Sequence, residues 1–74
     1  MNKERDGIRL IEFGQHLKKV RESLDLSQDE VVARCDVMKW NLGAIENGKK
    51  DFTFTTLLEI AKGLDVLPKD LLNY

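Results

Sequence analysis

Apolar residues start to recur at Ile8 and continue through Leu10, Ile11, Phe13, Leu17, Val20 and Leu24. Phe13, Leu17, Val20 and Leu24 share one face of a helical wheel, while Gln15, Lys18, Lys19 and Glu22 fall elsewhere on it. The pattern predicts a first helix from about Ile8 to Leu24. A polar, frayed arm over residues 1–7 precedes it. Asp25-Leu26 forms the turn that follows. Ser27-Gln28-Asp29-Glu30 is then a capping box, in which the Ser27 hydroxyl accepts from the Glu30 N–H and the Glu30 carboxylate reaches back to the Ser27 N–H. Its two acidic residues suit the positive end of a helix. The second helix runs to about Cys35, burying Val31, Val32 or Ala33, and Cys35 in part. It is so short that tertiary packing must hold it. Asp36-Val37 leads tightly into a third helix over about 39–47, with Leu42 and Ile45 inward. Asn47-Gly48 stops that helix, because glycine tolerates the left-handed conformation. Thr53 caps a fourth helix, marked by Leu57, Ile60, Ala61 and Leu64, with Leu58 as a further buried candidate. Pro68 opens a last short helix over 68–72, whose apolar side is Leu67, Leu71 and Leu72. No strand pattern or repeat interrupts the series.

The predicted class is all-α. A length of 74 residues leaves room for one domain with a modest core. Two short helices joined by a tight turn between longer neighbours make a helix-turn-helix. The second helix of such a pair fits the major groove of DNA. The first lies across the backbone with its positive end toward phosphate. Charge complicates this picture: 12 basic residues face 13 acidic ones, for a formal net charge of −1. Attraction to phosphate must therefore come from the distribution of charge and not from its sum. Cys35 is the single cysteine, which excludes an internal disulfide and suits a reducing cytosol. No apolar run reaches the length of a membrane span, and Met1 to Asp6 lacks the apolar stretch of a signal peptide. A cytoplasmic protein without membrane contact is expected. There is no nucleophile–base pair, metal-ligand cluster or phosphate-binding glycine loop, so an enzyme, a metal and a cofactor are not expected. His16 is solitary and reads as solvated or packed, and Cys35 as a small core residue.

Several segments carry a resemblance: Ser27-Gln28-x-Glu30-x-x-Ala33, Val37, Leu42-x-x-Ile45-Glu46-Asn47-Gly48-Lys49 and Thr56-Leu57-Leu58-x-Ile60-Ala61-Lys62-x-Leu64-x-Val66. Over about residues 13–74 the chain resembles the Xre/Cro/phage-repressor family of helix-turn-helix regulators. The resemblance implies a compact five-helix, lambda-repressor-like DNA-binding domain over residues 8–74. It places Lys39, Trp40 and Ala44 toward base edges, and Gln28, Asn47, Lys49 and Lys50 toward phosphates; Asn41 joins the base-contacting candidates on its amide chemistry alone. It also implies a partly buried salt bridge between Arg21 and Glu46, which fixes the recognition helix against the body.

Some residues depart from that pattern. Met38 stands where a serine or threonine would cap the third helix, at a cost of ~1 kcal/mol. Gly43 lies inside that helix, where glycine costs roughly 1 kcal/mol relative to alanine. Ala44 can meet only a thymine methyl or nothing, whereas Asn41 could pair with adenine if it points outward. Trp40 lies off the Leu42–Ile45 stripe and reads as an exposed contact residue. The leading function is a sequence-specific transcriptional regulator that binds a short symmetric operator in double-stranded DNA as a homodimer. Leu67, Leu71, Leu72 and Tyr74 are its candidate dimer contacts. Phe52 and Phe54 read as core or dimer contacts. Controller proteins of restriction–modification systems, similar in size, are a variant of this reading. The alternative is an antitoxin-type interaction module that keeps the fold, grips a protein partner such as a toxin, and binds DNA weakly.

Overall fold

The computed structural model describes residues 3–74, with side chains from residue 6 onward. Five helices follow in order: α1 (Lys3–Ser23), α2 (Gln28–Val32), α3 (Lys39–Glu46), α4 (Phe54–Leu64) and α5 (Pro68–Leu71). No strand occurs among the described residues.

Local chemistry explains most of the boundaries. At α2 the Glu30 N–H donates to Ser27 Oγ at 3.1 Å, and the Ser27 N–H donates to Glu30 Oε1 at 3.0 Å. That backbone bond holds the Glu30 carboxyl below the usual carboxylate range. Thr53 Oγ1 accepts from the Thr56 N–H at 3.2 Å and starts α4. Pro68 occupies the first turn of α5, where the Leu67 N–H finds Asp70 Oδ2 at 3.1 Å. Met38 gives α3 no side-chain cap, as expected for a thioether.

Beyond one-residue differences at the ends of α1, α3 and α5, the structure differs from the sequence pattern as follows. First, α1 starts at Lys3, so the segment expected as an arm over residues 1–7 is helical from Lys3 on. Met1 and Asn2 lie outside the described residues. Apolar periodicity is silent there because residues 3–7 are Lys, Glu, Arg, Asp and Gly; Asp6 pairs with Arg9 at 3.7 Å one turn on. Second, α2 stops at Val32, with Ala33 as its C-cap, instead of reaching Cys35. Ala33 is exposed. Cys35 is half-buried, its thiol donates to the Val31 carbonyl at 3.4 Å, and burial raises its pKa. Third, Leu58 remains exposed, while Leu71 is fully buried.

The core gathers Phe13 and Leu17 from α1, Val31 from α2, Leu42 and Ile45 from α3, Leu57, Ile60 and Leu64 from α4, and Leu71 from α5. Phe52 packs its ring 4.9 Å from that of Phe13. The burial of Leu71 removes it from the candidate dimer contacts: its side chain is consumed in closing the core beneath α5.

Two glycines let α1 lie directly on α3. A Cβ at Gly14 would sit 2.5 Å from the carbonyl oxygens of Ile45 and Glu46. Gly48 adopts φ +69° just after α3, and a Cβ there would come within 2.6 Å of the Ile11 Cα. The end of α3 is therefore clamped by backbone contact.

Candidate nucleic-acid interface

The orientation of α3 follows from which of its residues are buried. Leu42, Ile45 and Glu46 face inward. At 3.6 residues per turn, Trp40, Ala44 and Asn47 then lie on the opposite side. Trp40 is 65% exposed. The remaining α3 residues, Lys39, Asn41 and Gly43, border this outer stripe.

A polar network holds the helix in this attitude. Arg21 Nε donates to Glu46 Oε2 at 2.7 Å and Arg21 Nη2 to Glu46 Oε1 at 3.0 Å. This is a bidentate pair with both residues buried. Arg21 Nη1 also donates to the Leu26 carbonyl at 2.8 Å, which ties in the turn before α2. The Glu46 hydrogen bond keeps the guanidinium even more firmly protonated than usual. Gln28 Nε2 donates to Glu46 Oε1 at 3.0 Å. A single carboxylate thus joins α1, α2 and α3.

The residues named as base-facing have different environments. Lys39 is exposed, but its Nζ lies 3.1 Å from Asp29 Oδ1 on α2. Trp40 is covered on one side by Lys50, whose Nζ is 4.5 Å from the ring centroid. Asn41 is half-buried, and its Oδ1 is buried with no hydrogen-bond partner among the described residues. It borders a shallow depression shared with Lys50, Asp51, Phe52, Thr53 and Thr56. A bidentate grip on adenine needs both amide atoms free, so the expectation that Asn41 reads adenine does not fit this placement. Ala44 is half-buried. Gly43 faces Gln28, and an added Cβ would make only ordinary contact with it at 3.7 Å.

Among the residues named as phosphate-facing, Asn47 is the C-cap of α3 and is exposed, as are Lys49 and Lys50. Gln28 is half-buried, with one amide proton committed to Glu46. At the far end of the chain Leu67, Leu72 and Tyr74 are exposed. Tyr74 stacks on His16 at 5.1 Å and meets the edge of Phe13 at 6.1 Å. His16 Nε2 lies 3.0 Å from the Asp70 carbonyl. Phe54 is exposed at the start of α4.

The Asp29–Lys39 pair and the Lys50–Trp40 contact escaped the sequence reading. Both join residues ten apart across a turn, a separation that no helical period marks. Asp29 holds negative charge beside Lys39, on the surface that would meet phosphate. Asp29→Asn is expected to tighten binding to every duplex by about two- to fivefold, the scale of one exposed ion pair and its repulsion. Titration at two salt concentrations checks this; weaker binding would show that Asp29 supports the contact instead.

The chain is similar in sequence and fold to known helix-turn-helix proteins. The helix-turn-helix domain family matches residues 14–74. The chain is 34% identical over 70 residues to control protein C.BamHI of Bacillus amyloliquefaciens, covering 93% of this chain and 85% of that protein. It is 38% identical over 64 residues to control protein C.MunI of a Mycoplasma species, covering 85% and 86%. Among solved structures, the restriction-modification controller protein C.AhdI from Aeromonas hydrophila superposes with a TM-score of 0.81. The identity is 28%, over 86% of this chain and 97% of that one.

Proposed function

This chain belongs to the helix-turn-helix domain family, and on that premise we propose that it is a transcriptional regulator that binds a short symmetric DNA operator as a dimer. Its similarity to control proteins over most of its length supports the controller variant of this activity. The observation that carries the proposal is the attitude of α3. The Arg21–Glu46–Gln28 network fixes the helix from behind while Trp40, Ala44 and Asn47 face outward. A helix held this way can enter the major groove without reorganising.

Lys49 and Lys50 follow α3 and supply charge where backbone phosphates would pass. This local concentration answers the net charge of −1, because association depends on the field at the contact face. Exposed Leu67, Leu72 and Tyr74 are the proposed dimer contacts, with Leu71 beneath them in the core. A two-fold pair of α3 helices spaced by one turn of DNA would read a palindrome. No described helix is long and apolar enough to cross a membrane.

Selection from a random duplex pool, followed by titration at two salt concentrations, tests the proposal. A preferred sequence should emerge, and its affinity should fall steeply as salt rises. Absence of any selected duplex at low salt would end the DNA reading. Lys49→Ala should weaken all duplexes alike and flatten the slope of log K against log salt by about 0.9, the loss of one phosphate contact. A sequence-dependent loss would instead place Lys49 at a base.

A further inference from the structure

We propose that α3 recognises its site through the C5-methyl groups of thymine, with Trp40 as the specificity-determining residue and Lys50 as the residue that positions its ring. The inference rests on the DNA-binding function proposed above and specifies what the helix reads.

Apart from exposed Asn47 at its C-terminal end, the outer face of α3 offers little free hydrogen-bonding chemistry. Lys39 is engaged by Asp29 at 3.1 Å. Gln28 is tied to Glu46 at 3.0 Å. Asn41 has its Oδ1 buried, and the residue borders the depression shared with Lys50, Asp51, Phe52, Thr53 and Thr56. The centre of the face is Trp40 with Ala44 one turn further on, an indole and a methyl group. The apolar group that a base edge presents in the major groove is the thymine methyl. An indole 65% exposed to water gains by covering such a methyl, since both then leave water.

Lys50 makes the ring a defined surface. Its ammonium sits 4.5 Å from the ring centroid, attracted to the negative π face. One face of the indole is thereby occupied, leaving its edge and opposite face for the groove. Lys50 also carries positive charge toward the backbone, so phosphate contact and ring placement reinforce each other.

The test uses the full chain and a duplex selected from a random pool. Each thymine is replaced singly by deoxyuridine, which deletes the methyl and preserves base pairing. Binding is expected to weaken about fourfold per critical methyl, the worth of one buried carbon group. Trp40→Ala should bind the thymine and uracil duplexes equally, Trp40→Phe should keep part of the discrimination, and Lys50→Ala should narrow it. Thermal melting verifies that each variant is folded. Trp40 is the single tryptophan, so its emission should shift more with the thymine duplex than with the uracil one. Affinity unchanged within twofold at every uracil position, or full discrimination retained by Trp40→Ala, overturns the inference while leaving DNA binding intact. Failure to select any duplex overturns both.

Discussion

Glu46→Ala should lower the unfolding free energy by about 3–5 kcal/mol, because it leaves the Arg21 guanidinium buried with only the Leu26 carbonyl as partner. A chain of this length has roughly 4–11 kcal/mol of stability in total, so the variant stands at the edge of folding. The melting temperature should drop by at least about 12 °C, which calorimetry or circular dichroism would register. Replacing both partners should be far milder: Arg21→Met with Glu46→Leu removes the stranded charge along with the pair. A single variant no worse than the double would mean the bridge is not what anchors α3. The double variant carries its own prediction for function. It should fold yet bind DNA less well, because Gln28 loses the carboxylate that couples α2 to α3.

Gly14→Ala should destabilise the fold by about 2–3 kcal/mol, although alanine is intrinsically the better helix former. The added methyl would face two carbonyl oxygens of α3 at 2.5 Å. Backbone cannot turn aside as a flexible side chain can, so α1 and α3 would have to separate. The same substitution at Gly7, where nothing lies within 4 Å, should raise stability by up to about 1 kcal/mol. Opposite signs from one substitution in one helix would isolate the close approach as the cause. A stabilised Gly14→Ala would show that α3 can shift outward without loss. Because α3 is the proposed recognition helix, the displaced variant should also lose DNA affinity beyond its loss of stability.

The capping box at Ser27, the stop at Asn47-Gly48 and the apolar stripe of α4 were all legible in the chain. Each is a local pattern, in which residues three or four apart meet on one helix or across one turn. The salt bridge between Arg21 and Glu46 entered through family resemblance, since nothing in the spacing of two residues 25 apart marks them as partners. Exposure of Trp40 was legible as well, because it lies off the stripe formed by Leu42 and Ile45. Its placement under Lys50 was not.

Amino-acid order alone determined the helical class, most of the element boundaries and the inward face of each principal helix, because these depend on propensity, capping and periodicity within a few residues. Tertiary packing decided the rest. It buried Leu71 of α5 in the core, buried the Asn41 Oδ1, set Asp29 against Lys39, and left no room for a Cβ at position 14. Each of these depends on which helices approach one another and how closely, and distance through space between remote segments leaves no periodic trace along the chain.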